Sequence, residues 1–236
     1  MNIRLIALDL DGTLLNDDKH VSARNASALA RAAGRGIKVV ISSGRVYPEA
    51  LGCVAGMEAV AAISACNGGH VVELAGGRVL QATALPPASF RDLLGLLDNF
   101  GIFYSVYGSD RVFLREGILE EFPVYARYME GMACPQIHAT DLEGAISQAA
   151  PGSRGGQGPY KVYAMNPDLS RIAALRRRLA ERADLEVTSS SPTNLEITAR
   201  GVDKGKGLLA LGRHWGIGPQ EMMALGDGEN DLAMFA

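Results

Sequence analysis

The sequence predicts an α/β chain: a doubly wound parallel sheet interrupted by an inserted α+β domain. Three observations predict it. Short, continuously apolar runs alternate with helical patterns at the start of the chain, as expected for parallel strands covered on both faces. From residue 84 to 192 the pattern changes to mixed hairpins and helices. After residue 193 the strand-and-helix alternation resumes. A chain of 236 residues suits one large domain or two smaller ones. The interruption divides it into a discontinuous core, residues 1–83 and 193–236, around a domain at 84–192.

The elements follow in order. Arg4–Leu10 (RLIALDL) is a short apolar run ending at acidic and glycine residues, a buried strand meeting a loop. Val21, Ala26, Leu29, Ala30 and Ala33 then recur at helical spacing, with Ser22 as N-cap and Gly34 and Gly36 as the stop. Ile37–Ser42 is a second buried strand, closed by Ser43-Gly44-Arg45. A short helix over Tyr47–Val54 leads to a third strand, Ala59–Cys66. Val71–Gln81 reads as a hairpin with a glycine turn. Within the insert come a helix (Ser89–Phe100), a hairpin (Phe103–Tyr107 with Arg111–Arg115) and a helical stretch over Glu120–Met129. The glycine-rich GSRGGQG precedes a strand at Tyr160–Met165, a basic helix at Leu169–Arg182 and a strand at Leu185–Ser189. Asp203–Trp215 is again an amphipathic helix and Glu221–Gly226 again a buried strand. The core is Rossmann-like in this order of elements.

Composition narrows the function. The hydrophobic content of 47% supports a sizeable core. A net charge of −3 gives no reason to expect a nucleic-acid partner. The basic run Arg176-Arg177-Arg178 lies in a helical pattern and reads as a solvated face. Cys53, Cys66 and Cys134 are far apart and form no CxxC, so neither a zinc site nor a disulfide framework is indicated. The N-terminus turns acidic too early for a signal peptide, and no apolar run approaches the roughly 18 residues needed to span a bilayer. A cytoplasmic protein without membrane contact is expected, as a monomer or a homodimer.

The first strand ends Asp9-Leu10-Asp11-Gly12-Thr13. In extended chain, residues i and i+2 face the same side, so both carboxylates would point into the crevice beyond the sheet's C-terminal edge. Read alone, the pair fits an ordinary Asp-Gly turn as well as a site. The calcium-loop spacing fails, since Thr13 and Leu14 occupy its fifth and sixth positions. Ser43-Gly44-Arg45 ends the second strand, Lys204 opens the returning helix, and Asp227, Asn230 and Asp231 follow the last strand. One crevice can collect them all. Carboxylates gathered at one edge call for a cation, and oxygen ligands with open positions suit Mg²⁺. A lysine and a Ser-Gly turn offer donors to phosphate oxygens.

In order, DLDGT, Ser43-Gly44-Arg45, Lys204 and GDGEND resemble the four motifs of the haloacid dehalogenase-like phosphohydrolases. The spacing is most similar to the Cof-type sugar-phosphate phosphatases, whose large α/β cap is inserted after the second motif. Many relatives have Thr at the second motif where this chain has Ser43, which keeps the hydroxyl. The resemblance covers nearly the whole chain and implies a Mg²⁺-dependent phosphatase of small phosphorylated metabolites. It implies Asp9 as nucleophile, Asp11 as proton donor and acceptor, and Ser43 and Lys204 as holders of the phosphoryl oxygens. Mg²⁺ would be bound by Asp9, the backbone carbonyl of Asp11 and Asp227. The N–H groups of Leu10 and Gly44 would assist, and Asn230 and Asp231 would orient metal waters, phosphate or Lys204. Asn67, before the hairpin, is a candidate substrate contact. Substrate choice would live in the cap.

The same resemblance separates neighbours. Asp11 argues against dehalogenation, which protonates no alkoxide. Transport ATPases carry Lys and Thr where this chain has Leu10 and Asp11. Only one helix and one strand fit between Asp9 and Ser43, so the insert lies after the second motif. A phosphohexomutase of the phosphomannomutase type, or an idle phosphometabolite-binding module, are the alternatives. Cof-like relatives continue past the last helix into a further strand and helix, so the expectation for the sequence as given is an exposed apolar sheet edge at Glu221–Gly226.

Other candidates carry less. Gly201–Gly207 (GVDKGKG) fails the Walker spacing, and Lys204 is preferred to Lys206 by motif alignment. His20, His70, His138 and His214 show no ligand spacing. The aromatics Phe103, Tyr104, Tyr107, Phe113, Tyr125 and Tyr128 are read as core of the insert.

Overall fold

A computed structural model describes residues 2–148 and 158–236. Most of GSRGGQG lies outside the described residues. The chain divides into two units, Met1–Ala82 with Val202–Ala236, and Thr83–Gly201.

The first unit begins with β1 (Leu5–Leu8), followed by α1 (Ala23–Ala33), β2 (Lys38–Ser42), α2 (Tyr47–Cys53) and β3 (Val60–Ala65). The Ser22 side chain caps α1 by accepting from the Asn25 N–H at 3.2 Å, and Gly34 closes the helix. The hairpin follows as β4 (His70–Glu73) and β5 (Arg78–Ala82).

The second unit carries α3 (Pro87–Phe100), β6 (Phe103–Tyr107), β7 (Val112–Arg115), α4 (Ile118–Glu121), α5 (Ala126–Glu130), β8 (Gln136–Ala139) and α6 (Leu142–Gln148). It continues with β9 (Lys161–Met165), α7 (Leu169–Leu179), β10 (Leu185–Thr188) and β11 (Asn194–Ala199). The chain then returns to the first unit through α8 (Lys204–Trp215) and β12 (Met222–Leu225), and a short helical turn occupies Glu229–Met234.

The first sheet has the order β12-β1-β2-β3-β4-β5. β12, β1, β2 and β3 run parallel, and β4 and β5 add an antiparallel ribbon. Leu5 and Ala7 of β1, Val40 of β2 and Ala62 of β3 pack with Leu208 and Leu211 of α8 into one buried core. Each fully buried aliphatic side chain there contributes roughly 1.5–3 kcal/mol. The register aligns the C-terminal ends: Leu8 pairs with Ile41 on one side and Leu225 on the other. The residues following β1, β2 and β12 therefore leave the sheet side by side. The Asp9 N–H extends the parallel ladder by donating to the Leu225 carbonyl at 3.0 Å. β12 is the terminal strand of the sheet, and Met223 and Leu225 on it are exposed.

The second unit is built on the sheet β10-β11-β9-β6-β7-β8, antiparallel except for the β7–β8 pair. β11 pairs with β9 and β10, so residues 193–201 belong here and not with the core as the sequence reading expects. Every residue of β11 is buried, so it lacks the alternation that marks a half-exposed strand. β8 and α6 are also unexpected, β8 being a four-residue terminal strand. Phe103, Tyr104, Tyr107, Phe113 and Tyr125 are buried in this unit, whereas Tyr128 is exposed. The basic run caps the end of α7, whose Ile172, Leu175 and Leu179 face inward. Among the described residues, no helix is long and apolar enough to cross a membrane.

Candidate active site

Asp9 leaves β1 in an extended conformation. The chain then makes a wide helical turn, with the Leu14 N–H donating to the Asp9 carbonyl (3.2 Å) and the Leu15 N–H to the Leu10 carbonyl (2.9 Å). Gly12 permits the turn twice over. Its φ is 82°, and a Cβ at this position would lie 2.2 Å from the Asp227 Oδ2. Asp227 is thereby drawn against the turn, where its Oδ1 accepts from the Thr13 hydroxyl at 3.0 Å.

Lys204 comes from the other side. Asp203 caps α8 by accepting from the Lys206 N–H, which sets Lys204 as the first helical residue. Its buried ammonium donates to the Asp9 Oδ1 and the Asp231 Oδ1, each at 2.6 Å. Lys206 is exposed. Asp231 holds the loop after β12 by its second oxygen, which accepts from the N–H groups of Asp227 (3.0 Å) and Gly228 (2.9 Å). Carboxylate oxygens of Asp9, Asp227 and Asp231 all lie within 4.8 Å of one another. Three carboxylates against one ammonium leave two negative charges when all are ionised. An all-oxygen donor set with that excess fits a hard divalent cation such as Mg²⁺.

The second strand supplies another wall. The Ser43 N–H donates to the Ser64 carbonyl at 2.8 Å, and the Ser43 Oγ accepts from the Arg45 N–H at 3.2 Å. Asn67 is tied to the same segment, its N–H donating to the Ser43 carbonyl at 3.1 Å. Cys66 and Asn67 both have positive φ, 50° and 54°, an uncommon conformation for residues with a Cβ. Asn230 is buried in the turn that carries Asp231. Ser42, the neighbour of Ser43, is buried, and its hydroxyl has no hydrogen-bond partner among the described residues.

Asp11 departs from expectation. β1 ends at Leu8, so Asp9 and Asp11 do not share the face of one strand. The Asp11 carboxylate accepts from the Arg45 Nε and Nη2, both at 2.8 Å, and from the Lys19 Nζ at 2.8 Å. It is outside the three-carboxylate group. The electrostatics of the two residues are opposed. Burial pushes the Asp9 carboxyl up to about 6, against the pull of Lys204. Burial also acts to raise Asp11, but the hydrogen bonds from Arg45 and Lys19 outweigh it and hold that carboxyl down at about 2. Burial disfavours the Lys204 charge, yet Asp9 and Asp231 outweigh it and keep the ammonium protonated.

Sequence reasoning brings Asp9, Asp227 and Lys204 together, as the geometry does. It gives no role to Arg45, Lys19 or Thr13, and it treats Asp231 only as an orienting group. The signals differ. Arg45 lies within the Ser43-Gly44-Arg45 turn and Asp231 closes GDGEND, so motif position marks both. Lys19 lies in a polar turn with no periodicity to single it out. Arg111 is paired with Asp110, and Arg115 with Asp98 and Glu121.

Residues 6–236 match the family model of the haloacid dehalogenase-like hydrolases, and the chain belongs to that family. It is therefore a hydrolase, of the Cof type that its motifs resemble. It is 29% identical over 250 residues to a 5-amino-6-(5-phospho-D-ribitylamino)uracil phosphatase of Bacillus subtilis, a match spanning 99% of this chain and 84% of that protein. It is 31% identical over 234 residues to an HMP-PP phosphatase of Serratia proteamaculans, spanning 99% of this chain and 80% of that one. A solved haloacid dehalogenase-like hydrolase from B. subtilis shares the fold, with a TM-score of 0.83 at 23% identity over 99% of this chain and 86% of the other.

Proposed function

We propose that this phosphatase hydrolyses small phosphomonoesters, sugar phosphates or related metabolites, with Mg²⁺ and through a phosphorylated Asp9. The observation that carries the reading is the Lys204 ammonium bridging Asp9 and Asp231 beside Asp227, at the C-terminal edge of the sheet. The phosphatase relatives support it.

In the first half-reaction an Asp9 oxygen attacks phosphorus in line. The P–O bond to the ester oxygen breaks, and that oxygen takes a proton from Asp11. In the second, Asp11 takes a proton from water, whose oxygen attacks the same phosphorus. The bond to Asp9 breaks and inorganic phosphate leaves. Lys204 and the Ser43 hydroxyl hold the phosphoryl oxygens, aided by the Leu10 and Gly44 N–H groups. Asn67 and Asn230 contact substrate or order the loop around it. Mg²⁺, held by Asp9, Asp227 and the Asp11 carbonyl, would supply charge neutralisation between two anionic reactants.

The test is phosphate release from p-nitrophenyl phosphate and a panel of phosphorylated metabolites, with and without Mg²⁺. Turnover that needs the metal and vanishes in Asp9→Ala is expected. Metal-independent turnover, full activity in Asp9→Ala, or isomer transfer without phosphate release would each overturn the reading.

A further inference from the structure

Asp11 is gripped from two directions by residues with no other assigned work. Arg45 follows β2 and meets Asp11 as a fork, its Nε on one carboxylate oxygen and its Nη2 on the other, both at 2.8 Å. Such bidentate pairs fix orientation as well as charge. The backbone of Arg45 is itself anchored, its N–H on the Ser43 Oγ (3.2 Å) and its carbonyl accepting from the Cys66 N–H (2.9 Å). Lys19 arrives from the tip of a small hairpin closed by the Leu15–Val21 bridge. The hairpin is tied by the Asn16 N–H to the His20 carbonyl (3.0 Å), the Lys19 N–H to the Asn16 carbonyl (2.9 Å) and the His20 N–H to the Asn16 Oδ1 (2.8 Å). At that tip Lys19 has a φ of 62°, a strained conformation for a residue with a Cβ. Such strain persists only where the surroundings over-determine it, and here it accompanies an ammonium 2.8 Å from Asp11.

We infer that Arg45 and Lys19 are positioning residues that together set the Asp11 carboxylate for its work in the reaction. Arg45 is the anchored, bidentate member, with its side chain 28% exposed; Lys19 is the outer member at 62%. The inference rests on the phosphatase reading, because it assigns Asp11 the proton transfers. A surface ion pair of ordinary kind has little effect on anything measurable. Loss of a positioning clamp lowers kcat, leaves KM alone, and matters only while Asp11 is present.

The experiment is a pair of double-mutant cycles on the full chain at saturating Mg²⁺ with the fastest-cleaved sugar phosphate of the panel, whose alkoxide leaving group needs a proton. Lys19→Gly keeps the left-handed backbone and removes the amine; Arg45→Lys keeps a cation and removes the fork. Each is expected to lower kcat by about 10-fold or more, Arg45→Lys the further, with KM within about 3-fold. In an Asp11→Asn background neither is expected to lower kcat by more than about 2-fold. Lys19→Arg, which restores a cation, is expected to recover most of the loss. Losses that add to that of Asp11→Asn, an effect confined to KM, or unchanged kcat would overturn the inference and leave the phosphatase reading intact. Absence of phosphate release by the parent from every monoester would overturn both. Thermal melts of each variant separate lost folding from lost positioning, and the Lys19 cycle decides the matter if Arg45→Lys does not fold.

Discussion

The Lys204 ammonium lies 2.6 Å from an oxygen of Asp9, a residue 195 positions away in sequence, and both side chains are buried. The same ammonium holds Asp231, so one lysine joins the first strand, the returning helix and the loop after the last strand. Removing one member of a buried ion pair costs about 3–5 kcal/mol, because the partner's charge stays behind. Lys204→Met is therefore expected to lower the urea midpoint and abolish turnover. Adding Asp9→Asn to Lys204→Met removes one of the stranded charges and is expected to recover part of the stability with none of the activity. A Lys204→Met protein as stable as its parent would show that the pair is not buried as the geometry has it.

Divalent cation binding follows from the charge excess of the Asp9, Asp227 and Asp231 group. A ligand at 100 times its Kd stabilises the folded state by about 2.7 kcal/mol. Mg²⁺ is expected to raise the melting temperature of the parent, and to do so far less in Asp227→Asn. Melting curves over a Mg²⁺ series, with K⁺ at matched ionic strength, check this. Equal shifts in the two proteins would place the cation elsewhere.

Asp11 gives a pH dependence of known sign. Its carboxyl, held at about 2, is below the ordinary 3.8. Ionised Asp11 therefore stabilises the fold above about pH 4, and the contribution is lost as the pH falls from there through 2. The side chain is 43% exposed, so solvent screening reduces the effect to about 1 kcal/mol. Unfolding free energies of the parent and Asp11→Asn are expected to differ at pH 6 and to converge towards pH 2. A constant gap across that range would contradict the assignment.

The parallel α/β character of the first unit is legible in the sequence because its strands are continuous apolar runs, as Leu5–Leu8 is before Asp9. Parallel register then aligns those ends, and the choice of Asp9, Lys204 and Asp227 among the residues there comes from the order of the motifs that resemble the family's. What period and spacing could not show is the path of the chain between them. The wide turn at Leu10–Leu14 takes Asp11 away from Asp9, and its stop at Gly12 depends on contact with Asp227, more than 200 residues away by sequence. The left-handed Lys19 leaves no trace in hydrophobic periodicity. In the second unit, β11 escaped because all of its positions are buried, and the boundary was misplaced with it.

Gly205 connects packing to the site. A Cβ there would lie 2.0 Å from the carbonyl oxygen of Ala233, a backbone atom that cannot swing aside. This close approach seats the Glu229–Met234 turn on the start of α8, and that turn carries Asn230 and Asp231. Overpacking of this kind typically costs 1–3 kcal/mol, so Gly205→Ala is expected to destabilise by about that much. It is also expected to lower turnover, because displacing the turn moves Asp231 away from Lys204. Gly95 is the contrast. It is exposed in the middle of α3, with nothing within 4 Å of its would-be Cβ and no positive φ. There Ala is expected to stabilise the helix by about 0.5–1 kcal/mol and leave turnover unchanged. Urea unfolding and steady-state kinetics on the two variants check both. A Gly205→Ala protein with normal kcat would mean that the turn can shift without carrying Asp231 off its lysine.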